Sequence, residues 1–148
     1  MIRSATAAFA LNLILALPAY AEAWRDGVGQ GVGEAWVDKG PGNRIYVACG
    51  YGTNSISFTL AGKSPEPGST VTLIFDAKDP IEITNYEGKF APNCNPCRAL
   101  FELVEDELKS SNSVYVRFSA GVGTRFSLKG AAKAIGDGHC PFEDVDPD

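Results

Sequence analysis

The chain is predicted to fold mainly as β structure (α+β in the broad sense): an antiparallel β-sandwich or barrel of about seven short strands, with one amphipathic helix inserted before the last two. Three observations predict it. Apolar residues recur at every second position in most of the chain, Gly/Pro/Asn turn signals separate these runs, and a single stretch has helical period instead. "EAWVDK" and "RIYVACG" are joined by "GPGN", a turn between two strands. "SISFTLAG" alternates Ile56, Phe58 and Leu60 against Ser and Thr, and "KSPEPGS" ends it. "TVTLIFDAK" and "IEITNYEGKF" follow as two further strands around the Asp79-Pro80 turn, and "SVYVRFSA" and "TRFSLKG" flank the glycine turn "GVG" near the end. Short β-branched and aromatic segments of this kind suit a closed or double-layered antiparallel fold.

The helical stretch follows Cys97. Leu100, Leu103, Val104 and Leu108 fall on one face, and Glu102, Glu105, Asp106 and Glu107 lie between them as a solvated acidic face. Asn95 is the expected N-cap and Pro96 the first helical residue, where a missing N–H costs nothing. "AAKAI" after Gly130 is expected to form a second, short helical turn closed by Gly136.

Four regions are expected along the chain. Residues 1–21 read as a secretory signal peptide: Arg3, an apolar run from Ala5 to Leu17, and Ala19-Tyr20-Ala21 before Glu22. That run is short for a membrane span and Pro18 interrupts it, so no membrane span is expected. Residues 22–33 read as a flexible glycine-rich lead-in, because Gly27, Gly29, Gly31 and Gly33 lack the spacing and the preceding strand of a dinucleotide loop. Residues 34–142 form one β-rich domain, and 143–148 an acidic tail. The formal net charge of −5 argues against nucleic-acid binding, which needs a basic footprint. The expected location is the periplasm or the exterior, and the expected state a monomer.

Cys49, Cys94, Cys97 and Cys140 are the only cysteines, and an even count in an exported chain favours disulfides. Four cysteines allow three pairings. Cys49 with Cys140 would tie the two ends of the fold together, which leaves Cys94 with Cys97 as a local staple in front of the helix. Zinc on Cys94, Cys97, His139 and Cys140 is disfavoured, since adjacent His and Cys do not readily face one tetrahedral ion and an oxidising compartment competes for thiols. No metal and no cofactor is expected. His139 is the single histidine, and no GxSxG, Walker or HExxH motif occurs. Trp24, Trp36, Tyr46, Tyr51 and Phe58 are read mainly as core or cross-strand aromatics, with a cleft lining as the alternative. Tyr86 and Phe90, flanking the irregular segment before Cys94, are the candidates for an exposed recognition edge.

"NCNPCRALFELVEDEL", residues 93–108, resembles the CxPC and helix of thioredoxin-like proteins. That resemblance implies a thiol-disulfide centre with Cys94 as nucleophile and Cys97 as resolving thiol. The chain departs from the family around the motif: Asn93 stands where a Trp is usual, no proline occurs between Arg98 and Cys140, and βαβ alternation is missing downstream. "VYVRFSAGVGTRFSLKGAAKAIGDGHC", together with "RIYVACG", resembles small exported bacterial proteins similar to the invasion-associated locus B family. The shared elements are an early strand ending in Cys and a closing "FSLKG" strand before an AxxA turn; the segment carrying "CNPC" departs from that pattern. This resemblance implies a periplasmic or surface-associated β-sandwich without enzymatic activity. The expected function is therefore a non-enzymatic, disulfide-stabilised binding or accessory protein for an unidentified protein or small molecule. The alternative is a periplasmic thiol-disulfide oxidoreductase using Cys94 and Cys97.

Overall fold

In the computed structural model, residues 22–141 are described; the expected signal peptide and acidic tail lie outside them. Two antiparallel sheets face each other. The five-stranded sheet contains β1 (Trp24–Gly29), β2 (Val32–Asp38), β3 (Arg44–Cys49), β4 (Ser55–Thr59) and β7 (Lys89–Phe90), side by side in that order. The four-stranded sheet runs β6 (Ile81–Thr84), β5 (Thr70–Phe75), β8 (Ser113–Phe118), β9 (Gly123–Ser127). Period-two alternation sends Val37, Ile45, Val47, Ile56 and Phe58 inward from one sheet and Val71, Leu73, Phe75, Val114, Val116 and Phe126 from the other, into one buried cluster. The fold class is thus the expected one, a mainly β sandwich, with α1 (Asn95–Ser110) placed before the last two strands and α2 (Ala131–Ile135) after them.

Two strands depart from the expectation. The supposed lead-in at 22–33 is not a loose segment: most of it is β1 and the start of β2, a hairpin whose register pairs Gly29 with Val32. Gln30 and Gly31, at φ 52° and 81°, supply the two positive-φ residues of the hairpin turn whose twist suits paired strands. Its period-two signal is hidden because Gly27 and Gly29 fall on the outward face, where the alternation would otherwise show polar side chains. Glu22 is also fixed, its carboxylate accepting the Ser127 N–H at 2.6 Å and pairing with Lys39 Nζ at 2.7 Å. "IEITNYEGKF" is two strands in different sheets, not one. Buried Asn85 donates to the carbonyls of Pro65 (3.1 Å) and Glu66 (2.9 Å), and Glu87 and Gly88 turn at φ 52° and 83°, so the chain crosses from β6 to β7.

The turn between β2 and β3 requires its glycine. Gly42 has φ 79°, and a Cβ there would stand 2.6 Å from the Gly62 backbone nitrogen, which itself donates to the Gly42 carbonyl at 2.8 Å. Gly42→Ala combines left-handed strain with a clash against backbone that no rotamer relieves. It is expected to lower stability by about 2 kcal/mol, whereas Gly40→Ala, with open space around its Cβ, costs the strain alone, about 1 kcal/mol. Equal urea midpoints for the two variants would contradict this account.

Asp76 latches the end of β5 to the start of β8. Its carboxylate accepts the backbone N–H groups of Asn112 (2.7 Å) and Ser113 (2.8 Å) and the Asn112 side-chain amide (3.1 Å). The Asn112 N–H, with Ser113 beside it, holds the Asp76 carboxyl below its ordinary value. A depressed folded value means the contribution is full above the unfolded carboxylate range, about pH 4, and is lost as pH falls through the lower folded value. Asp76→Asn is therefore expected to flatten the fall of the urea midpoint as pH drops below about 4; a slope identical to the parent would refute it.

Candidate functional site

The Cys94–Cys97 pair is bonded, with Cα atoms 4.9 Å apart, at the entrance to α1. The helix is capped one residue earlier than expected. Cys94, in extended backbone, is the N-cap, and its Sγ accepts the Cys97 backbone N–H at 3.1 Å, while Asn95 and Pro96 form the first turn. Sulfur thus takes the place that the Asn95 amide oxygen was expected to fill. Pro96 removes one donor that would otherwise lack a partner in that turn. Cys94 is exposed and Cys97 half-buried. Once reduced, a sulfur held there would keep the Cys97 N–H and face the positive end of the helix dipole, both of which favour thiolate.

The second pair meets the same helix farther along, at Glu105. Cys49, the last residue of β3, is bonded to Cys140 across 91 positions. Beside this bond lies Glu105, 1% exposed, although the charge pattern placed it on the solvated face of α1. The buried stripe is Phe101, Val104, Glu105 and Leu108, so an acid occupies a core-facing position and Leu103, assigned to the apolar face, stands 46% exposed. What Glu105 meets explains the exchange. Both of its oxygens accept the Cys140 N–H at 3.2 Å, Lys109 Nζ lies 2.7 Å away, and His139 Nδ1 is at 3.5 Å. Lys109 also donates to the Gly138 carbonyl, and Asn54 Nδ2 donates to the Pro141 carbonyl at 2.6 Å. Residues 138–141 are therefore strapped to the sandwich by one covalent and several polar links.

These positions also answer the question of a four-ligand zinc centre. His139 and Cys140 gather at Glu105, eight residues along α1 from Cys97, or about 12 Å of helix rise. The four side chains do not converge. Among the described residues, the group that does cluster is Cys49, Cys140 and Glu105, within 4.8 Å of one another, with the two sulfurs bonded to each other.

Between the β1–β2 hairpin and α2 is a cleft of about 270 Å³, with Val47, Cys49 and Ile135 on its walls and Asp26 and Lys133 among its polar lining. α2 packs against α1, β1 and β2, so the cleft and the Cys49–Cys140 bond share one end of the sandwich.

The aromatic residues separate by face. Phe58 is core; Trp24 packs on the core and donates from Nε1 to the Ser127 carbonyl at 3.1 Å. Trp36 and Tyr46 are on the outer face of the five-stranded sheet, and Tyr51 is 72% exposed in the turn after β3. The recognition edge expected from Tyr86 and Phe90 is corrected: Tyr86 is 54% exposed, but Phe90 is buried and packs on Phe101 with ring centroids 5.9 Å apart. Residue 90 pairs with Ile56 inside β7, so alternation turns it inward. The acid at Glu105 carried no sequence signal as a site beyond its i, i+4 spacing to Lys109 and its place among Phe101, Val104 and Leu108.

Compared with known proteins, residues 22–135 match the family model described as YfjT, a span that takes in both sheets and both helices and stops short of Cys140. No curated protein and no solved structure matches the chain.

Proposed function

The chain belongs to the YfjT family, and from there we propose that it is an exported, disulfide-stabilised, non-enzymatic binding or accessory protein of the bacterial periplasm or cell surface. The observation that carries this reading is that all four cysteines are spent in two disulfides, one of which spans 91 positions. Such bonds persist where thiols are oxidised. The signal-like segment before Glu22 agrees with that compartment, and none of the described helices is long and apolar enough to cross a membrane. The cleft and the rigid outer faces of a doubly stapled sandwich suit holding a partner. Fractionation of the producing cell, with mass spectrometry of the N-terminus, tests the reading. The expected product is an oxidised chain starting at Glu22 in the periplasmic or extracellular fraction; a full-length, reduced chain in the cytoplasm would end it.

A second reading is supported by the exposure of Cys94 and the N–H aimed at its sulfur. In it the reduced Cys94 thiolate attacks a substrate disulfide, and one substrate sulfur leaves as thiolate. Cys97 thiolate then attacks Cys94 Sγ, the second substrate sulfur leaves, and two electrons have passed to the substrate as the Cys94–Cys97 bond re-forms. The reduction potential and insulin-reductase activity decide between the two. A value below about −300 mV with no turnover supports the non-enzymatic reading, and rapid turnover abolished by Cys94→Ser supports the oxidoreductase.

A further inference from the structure

The outer face of the five-stranded sheet is a surface that the core and the disulfides leave unused, and it meets the cleft at Glu34. Alternation and register place Arg25 on β1, Glu34, Trp36 and Asp38 on β2, Arg44 and Tyr46 on β3, and Ser57 on β4 on that face. Trp36 and Tyr46 are directly opposite each other, with Arg25 opposite Trp36 on its other side. In a solvent-facing sheet layer such positions ordinarily carry polar side chains. Here two neighbouring ones carry a Trp and a Tyr.

How the rings are held is informative. A Cβ on Gly27 would sit 3.5 and 3.7 Å from the far carbons of the Trp36 indole, so the indole rests on the bare backbone of β1 where Gly27 has no side chain. The indole is thereby seated against the strand, and Trp36 and Tyr46 are both half-buried, each keeping part of its ring in reach of solvent. Tyr46 is fixed by donating its hydroxyl to Glu34 Oε1 at 2.5 Å, and that bond, with partial burial, pushes its pKa up to about 12. Around the rings, Arg44 is braced by a two-point bond to Asp38 (2.6 and 3.1 Å). The pairs do not exhaust their groups: a guanidinium has five N–H donors and a carboxylate about four acceptor sites.

We infer that this face binds a β-linked glycan chain, sugar rings stacking on Trp36 and Tyr46 while Arg25, Glu34, Asp38 and Arg44 hydrogen-bond ring hydroxyls. A pyranose with equatorial substituents offers an apolar C–H face to an aromatic ring and a belt of hydroxyls at its edge. Adjacent hydroxyls match the two-point geometry of a guanidinium or carboxylate. Two rings fixed on neighbouring strands, about 4.8 Å apart, give an extended platform at little entropic cost, since both side chains are already ordered. A protein partner fits less well: the centre of a protein interface is depleted of charge, and here four charged groups surround the two rings. Nucleic acid fits worse still: Arg25, Arg44 and Lys89 on this face stand against Glu34 and Asp38, which leaves no strong basic footprint.

The inference rests on the binding reading above and names its ligand class. It is tested with the mature protein and two defined probes, the β-1,4-linked hexamers of N-acetylglucosamine and of glucose, by calorimetry and by intrinsic tryptophan fluorescence. Saturable binding of at least one hexamer is expected, weakened at least tenfold by Trp36→Ala and several-fold by Arg25→Ala, and unchanged by Tyr51→Ala, which removes an exposed aromatic off this face. Arg25 is exposed, so its variant keeps the test decisive if Trp36→Ala fails to fold. Binding of neither hexamer, or binding indifferent to both substitutions, overturns the inference. So does capture of a protein partner through Trp36 without glycan binding. Localisation and disulfide state are unaffected by these outcomes, so the export reading stands or falls separately.

Discussion

Replacing Cys49 and Cys140 together by alanine is expected to lower the melting temperature by roughly 15–20 °C, while replacing Cys94 and Cys97 together costs less than half as much. The two bonds constrain very different lengths of unfolded chain. A cross-link over 91 positions removes loop-closure entropy worth about 4–5 kcal/mol, whereas one over 3 positions removes about 2 kcal/mol at most. Their native surroundings widen the gap. Cys140 is 3% exposed and belongs to the core cluster, and its N–H is held by Glu105, so losing the bond frees a segment that also covers buried surface. Cys94 is exposed, and the first turn of α1 keeps Pro96 and the Phe101–Phe90 contact without it. Thermal unfolding of the two double variants, each compared with the oxidised parent, checks the ordering. Equal losses would mean that the long bond does not govern stability.

The fold was legible wherever one face of an element is apolar and the other is not. β2, β3, β4, β5, β8 and β9 all alternate strongly, and α1 is the single helical period of any length, so class and helix position could be read directly, while the Cys49–Cys140 pairing was one of three that the cysteine count allows and is fixed by the fold. β1 was not legible because glycine on the outer face erases the contrast that alternation depends on. The division of "IEITNYEGKF" leaves only a change of phase in the sequence, with Ile81 and Ile83 at odd positions and Phe90 at an even one; the Asn85 contacts, made to residues about 20 positions away, show where the chain leaves one sheet for the other. The candidate sites divide the same way. Cys94 and Cys97 announce themselves by spacing, but Trp36 and Tyr46 become a platform only through the strand register and the gap at Gly27. Phe90 departs from expectation because a residue next to an irregular segment is expected to be exposed, while its phase in β7 turns it inward.

Glu105→Ala is expected to destabilise the fold by about 3 kcal/mol, far more than the neighbouring Asp106→Ala, which should stay within about 0.5 kcal/mol. The acid is the hub of the strap: it receives the Cys140 N–H and the Lys109 ammonium in a place where water cannot replace it, at 1% exposure. Removing the carboxylate leaves a buried donor without an acceptor and a cation whose side chain is only 15% exposed without its counter-charge. Glu105→Gln keeps one oxygen for the Cys140 N–H and loses the charge, so it should fall between, at about 1–2 kcal/mol. Lys109→Met removes the cation and keeps an apolar stem, and in the Glu105→Ala background its additional cost should be small, since the partner it served is gone. The double-mutant cycle is then expected to return a coupling of about 1–2 kcal/mol. Additive losses would show that Glu105 acts on Cys140 alone, and a Glu105→Ala cost no greater than that of Asp106→Ala would place the acid back in solvent. In the Cys49→Ala/Cys140→Ala background the same substitution should lose most of its effect, because a segment 138–141 already released no longer presents its N–H to Glu105; a cost still near 3 kcal/mol there would mean that the polar strap holds without the covalent one.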